Sequence, residues 1–143
     1  MQINWFPGHM TKAMRLIEEN IKIVDAVIYV LDSRAVSACI NPSFSGVIKN
    51  KPIERYREKG VNTPVRAMVS GIPNSGKSTL INSLCGGKRT ITGDRPGVTK
   101  SKQWLSVQKG VDMLDTPGTL WPKLDDQNAA MHLAFIGSIK DDV

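Results

Sequence analysis

Two cysteines and two histidines in 143 residues leave this chain little metal-ligand or disulfide chemistry. Cys39 and Cys85 have no C-x-x-C spacing and no histidine beside them, so neither a disulfide framework nor a zinc site follows, and both are expected to pack in the core. Aromatic residues are scarce at 6%, and Trp5, Trp104 and Trp121 are too scattered to form a base-stacking platform. No apolar run approaches the roughly 18 residues of a membrane span, and the first residues lack the apolar core of a signal peptide. The expected setting is therefore cytoplasmic, with no membrane partner.

What is present fits one ordinary globular domain with a real core: 41% hydrophobic and 22% charged residues. Lysine and arginine total 19 against 13 aspartate and glutamate, a net charge of +6. Such an excess suits a polyanionic partner, because clustered cations release counterions from phosphates, but an ordinary solvated surface explains it equally well. No recognisable RNA-binding module accompanies the charge.

The chemistry is concentrated in three segments. Residues 71–78 read Gly-Ile-Pro-Asn-Ser-Gly-Lys-Ser, a complete G-x-x-x-x-G-K-S phosphate loop. Its glycines let successive N–H groups turn inward around phosphates, Lys77 reaches the β and γ oxygens, and Ser78 offers a hydroxyl to Mg²⁺. Val65, Ala67, Met68 and Val69 before it suit a buried strand, and Leu80, Ile81 and Leu84 after it recur at helical spacing. Strand, loop and helix are the context the motif requires. Pro73, Asn74, Ser75, Gly76, Lys77, Ser78 and Thr79 are accordingly the expected nucleotide-binding residues.

Downstream, Asp115-Thr116-Pro117-Gly118 matches D-x-x-G at the end of a strand-like run. There Asp115 can hold Mg²⁺ through water and the Gly118 N–H can meet a γ-phosphate. Between the two motifs lies Gly93-Asp94-Arg95-Pro96-Gly97-Val98-Thr99, whose Thr99 hydroxyl can close on Mg²⁺ when a triphosphate is present. Ser78, Thr99 and Asp115 form the expected Mg²⁺ set. Elsewhere, residues 12–23 read as an amphipathic helix, 103–107 and 111–114 as a hairpin about Lys109-Gly110, and 127–139 as helical at least in its first half.

With these motifs in place, the chain resembles the translation-factor-like GTPases and, more closely, the circularly permuted YlqF/RbgA family. Asn4-Trp5-Phe6-Pro7-Gly8-His9-Met10 is similar to that family's opening signature, and Asp115-Thr116-Pro117-Gly118 running into Leu120-Trp121-Pro122-Lys123 is similar to its switch II. A strand-like run at 24–31, ending in Asp32-Ser33-Arg34, precedes the phosphate loop instead of following D-x-x-G. The resemblance implies an α/β P-loop fold, a mostly parallel sheet flanked by helices, and a GTP-binding, slowly hydrolysing switch that acts on the large ribosomal subunit or its rRNA.

One family element is absent. Asn50-Lys51-Pro52-Ile53 has isoleucine where the guanine-reading Asn-Lys-x-Asp motif needs a carboxylate. Residues 1–143 are therefore expected to be a GTPase domain incomplete between Pro52 and Ile53, where the whole molecule is expected to carry two further βα units, and without the family's C-terminal helical domain; a truncated fragment is the alternative. Without that motif the residues do not exclude ATP. A nucleotide-binding RNA or ribosome scaffold without productive hydrolysis is the alternative to the enzyme.

For hydrolysis, Thr119 stands where a water-orienting glutamine usually follows D-x-x-G, and it is too short for that task. His9 is the candidate to orient water, with a structural role as its alternative. Lys77 and Thr99 complete the expected catalytic set. Asn74 either helps bind K⁺, which would place positive charge beside the phosphates, or stabilises the loop.

Overall fold

The computed structural model describes residues 8–42, 64–87, 103–108, 110–121 and 124–139. The elements in chain order are α1 (Gly8–Asn20), β1 (Ala26–Val30), α2 (Val36–Cys39), β2 (Val65–Gly71), α3 (Lys77–Leu84), β3 (Gln103–Gln108), β4 (Val111–Asp115) and α4 (Gln127–Phe135). Among the described residues the strands form one sheet in the order β1-β2-β4-β3. β2 pairs in parallel with β1 on one side and β4 on the other, whereas β3 returns antiparallel to β4. The sheet is thus mostly parallel, as expected, and the strand before the phosphate loop in sequence lies beside it in space.

Alternation along β2 sorts its side chains between two layers. Met68 packs with Leu114 against Ile17, Ile21 and Val24, so α1 and the turn that follows it cover one face. Ala67 and Val69 point the other way, joining Met113 and Ile81 of α3. Period two in the strands and period 3.6 in the helices meet here, and burying both faces is what a central parallel strand requires.

A third cluster sits under the phosphate loop, where Met10, Ile72, Leu120, Leu124 and Leu133 are all buried. It joins the start of α1, the loop, the segment after D-x-x-G and α4 into one packed unit. Cys39 belongs to this cluster, the core position expected of it, while Cys85 is only half-buried at the edge of the cluster that holds Ile81.

Two boundaries differ from the sequence reading. α1 runs Gly8–Asn20 instead of 12–23, and it ends where the Asn20 side chain donates back to Leu16 O at 2.6 Å, so the helix is complete before residues 21–23 turn toward β1. The four-residue α2 had no sequence signal; it is held from outside, because the Tyr29 hydroxyl donates to Cys39 O at 2.9 Å.

Candidate phosphate-binding site

The site grows from the carboxyl ends of the parallel strands, where open α/β sheets bind ligands. β2 ends at Gly71, φ +152°, where a Cβ would lie 2.5 Å from Val30 O; only glycine lets the chain leave the sheet so close to β1. The loop then passes through two left-handed residues, Asn74 at φ 57° and Gly76 at φ 87°, and enters α3. Alternating hand along a short loop turns N–H groups toward one concave side, the geometry that cradles an anion.

No side chain caps α3, whose N-cap is Gly76. α4 shows the other solution: Asp126 accepts from Asn128 N and Ala129 N at 3.0 and 3.1 Å. At α3 the glycine N-cap leaves the place of a side-chain cap open to an anion.

Lys77 is 5% exposed, and its ammonium donates to Ile72 O at 2.6 Å and to Ser75 Oγ at 3.4 Å. Burial lowers its pKa from 10.5 to about 8, against an opposing pull from Asp115. Ser78 donates its hydroxyl to Asp115 Oδ2 at 2.7 Å. Asp115 is fully buried, and burial raises its pKa, opposed by the Ser78 hydroxyl, the Lys77 charge and the Thr116 N–H. Its second oxygen, Oδ1, is buried with no hydrogen-bond partner among the described residues. A carboxylate with one oxygen on a hydroxyl and the other unpartnered is a fitting donor set for a hard divalent cation.

The D-x-x-G segment is stitched to β2 by one side-chain and one backbone bond. Thr116 Oγ1 donates to Val69 O at 2.8 Å, and Thr119 N donates to Gly71 O at 3.1 Å. Gly118 lies so close beneath Pro73 that a Cβ would overlap Pro73 Cα and sit 2.6 Å from Pro73 N. Thr119 itself is buried.

The structure thus brings together Pro73, Asn74, Ser75, Gly76, Lys77, Ser78, Asp115 and Gly118, with Thr79 exposed on the first turn of α3. His9 lies in the first turn of α1, not in a loop; it is exposed, next to Met10 of the cluster that holds Ile72 and Leu120. Thr99, with the whole of 93–99, and Asn50-Lys51-Pro52-Ile53 lie outside the described residues, as does Trp5. Trp121 packs half-buried against the cluster under the loop. His132 is exposed on α4. Sequence reasoning missed Ser138, whose hydroxyl donates to Pro73 O at 2.6 Å, and the Ile136 carbonyl, which accepts from Asn74 Nδ2 at 3.4 Å. Contacts across more than 60 positions carry no local signal.

Phosphate loop, D-x-x-G and sheet order together define a P-loop nucleotide-binding domain of the GTPase type. A family model described as 50S ribosome-binding GTPase matches residues 66–143. The chain is 36% identical to ribosome biogenesis GTPase A of Priestia megaterium over 200 aligned residues, covering 100% of this chain and 69% of that protein. GNP-bound YlqF from T. maritima is similar at a TM-score of 0.55 and 26% identity, covering 92% of this chain and 70% of that one. A GDP-bound YlqF structure is similar at 0.53 and 25%, covering 87% of this chain and 66% of that one. The chain belongs to the ribosome biogenesis GTPase A (YlqF) family of P-loop GTPases.

Proposed function

We propose that this domain binds GTP with Mg²⁺, hydrolyses it slowly, and acts as a switch in assembly of the large ribosomal subunit. The observation that carries this reading is the buried Ser78–Asp115 pair at the mouth of the phosphate loop, with Lys77 beside it and Asp115 Oδ1 unpartnered. Family membership supports guanine over adenine, and the ribosomal role follows the names the relatives carry.

Each residue has a task. The N–H groups of Asn74, Ser75, Gly76, Lys77, Ser78 and Thr79 hold the phosphates, and the Lys77 ammonium exchanges Ile72 O for a phosphate oxygen. Ser78 and Asp115 would hold Mg²⁺, with Thr99 as the third member of the set. Mg²⁺ supplies charge neutralisation between the β- and γ-phosphates. The Gly118 N–H meets the γ-phosphate, so the segment from 115 onward distinguishes triphosphate from diphosphate.

Low turnover follows from residue 119. Thr119 is buried and its N–H is committed to Gly71 O, so it does not orient water. His9 is the proposed substitute: exposed, at the start of α1, and anchored by Met10 to the cluster beneath the loop. Asn74 is the proposed K⁺ contact through its carbonyl oxygen, since its amide nitrogen is directed to Ile136 O.

The length of the alignment is consistent with the expected gap, whose place between Pro52 and Ile53 is read from the sequence. Two hundred aligned positions against 143 residues leave more than fifty positions of the relative without a counterpart here. Those positions are room enough for two βα units and a base reader.

The test is Lys77→Ala assayed for GTP hydrolysis and for association with large ribosomal subunits. Loss of turnover with a nucleotide-dependent loss of subunit binding is expected. A variant that still hydrolyses GTP, or subunit binding indifferent to nucleotide, would overturn the switch reading in favour of a scaffold.

A further inference from the structure

Two separate contacts tie the end of α4 to the phosphate loop. The helix closes in a Schellman turn: Ser138 N donates to Leu133 O at 2.9 Å and Gly137 N to Ala134 O at 3.0 Å, with Gly137 at φ 75°. The turn carries Ser138 inward. Its side chain is fully buried, and the hydroxyl donates to Pro73 O at 2.6 Å. The Ile136 carbonyl, an acceptor that the helix end leaves without an intrahelical partner, accepts from Asn74 Nδ2 at 3.4 Å.

The peptide so held is the one that opens the phosphate cradle. Pro73 has no N–H, so between it and α3 the first donor available to a phosphate is that of Asn74. The bond is trans, and in a planar trans peptide the C=O and N–H point in opposite directions. Fixing Pro73 O therefore fixes the direction of the Asn74 N–H. Asn74 itself sits in the left-handed region, at φ 57°, which asparagine adopts more readily than other non-glycine residues.

We infer that Ser138 is a positioning residue for nucleotide binding: through Pro73 O it sets the plane of the 73–74 peptide and presents the Asn74 N–H to the phosphates. The inference rests on the nucleotide-binding reading above. It touches no phosphate itself, and Lys77, Ser78 and Asp115 are placed by other bonds, so Ser138 governs affinity more than the chemical step.

The experiment compares wild type with Ser138→Ala, Ser138→Thr and Ser138→Val, measuring dissociation constants for GDP and GTP, KM and kcat, and melting temperature without nucleotide. Ser138→Ala is expected to weaken both nucleotides about tenfold, chiefly through faster dissociation, as removal of one buried donor implies. KM should rise with kcat changed less than about twofold, and Ser138→Thr should recover most of the affinity. Wild-type affinity in a folded Ser138→Ala overturns the inference, even if its melting temperature falls. Should that variant not fold, the near-isosteric Thr and Val variants isolate the hydroxyl, and equal affinities in that pair overturn it as well. A wild type that binds no nucleotide sinks the functional reading and this inference together; a binding wild type with an unaffected alanine variant sinks this inference alone.

Discussion

Ser78 Oγ and Asp115 Oδ2 meet at 2.7 Å across the end of the sheet, joining the first turn of α3 to the end of β4. The bond is buried, and the carboxylate is held where burial disfavours its charge.

Asp115→Asn tests that bond from both sides. Because the folded-state pKa of Asp115 is raised, the group favours the fold most below its ordinary value of 3.8 and loses that contribution as pH rises through the folded value. Well above 3.8 the buried acid costs the fold stability, so the amide should leave the nucleotide-free protein at least as heat-stable as wild type. It should also abolish the gain in nucleotide affinity on adding Mg²⁺. Calorimetric melting and nucleotide titration with and without Mg²⁺ check both halves; a Mg²⁺ effect that survives would remove Asp115 from the metal site.

Lys77 gives a pH dependence of opposite sign for stability and binding. With its pKa lowered to about 8, it favours the fold most above 10.5, and that contribution is lost as pH falls through about 8. Phosphate wants the ammonium, so GDP affinity should be flat below about pH 8 and weaken by up to about tenfold per unit above it. Lys77→Met should flatten the profile. A wild-type affinity unchanged between pH 7 and pH 9, taken as roughly the working range, would mean that phosphate binding does not draw on this proton.

Gly118→Ala places a methyl group on Pro73. The neighbour is backbone and cannot swing aside, so either the loop or the D-x-x-G segment must shift. We expect a loss of roughly 1–3 kcal/mol in stability, as for overpacking, and GTP affinity falling more than GDP affinity. Denaturant melts and paired titrations measure the two effects, and an unaltered GTP-to-GDP ratio would separate Gly118 from γ-phosphate sensing.

His9→Ala should slow single-turnover hydrolysis by about 10²-fold or more with nucleotide affinity unchanged. Rates in K⁺ and Na⁺ buffers test Asn74 in the same assay: faster turnover in K⁺ is expected, and equal rates would leave Asn74 as a loop stabiliser tied to Ile136.

The protein isolated from its source should have a mass several kDa above 15.7 kDa, because two βα units are expected between Pro52 and Ile53. Intact-mass spectrometry decides this. A match to 15.7 kDa would leave the domain without a base reader, and GTP and ATP should then compete equally.

Much of this was legible locally. The phosphate loop, its strand and its helix announce themselves in adjacent residues, and so does the hairpin of β3 and β4, because the sequence signal at Lys109-Gly110 and the flanking alternation lie close together in the chain. D-x-x-G was readable for the same reason. What escaped is what only folding brings together. α2 depends on Tyr29 from the preceding strand, the unpartnered Asp115 Oδ1 depends on depth, and the hold of Ser138 on Pro73 joins residues 65 positions apart. The early end of α1 was written in a single amide, Asn20, that a hydrophobic stripe does not register.

Pro73 touches Gly118 on one side and Ser138 on the other. The stretch from D-x-x-G through α4 therefore leaves the phosphate loop at one residue and returns to the same residue. Pro73 is in this sense a shared joint: its peptide cannot shift without moving either the D-x-x-G segment or the end of α4.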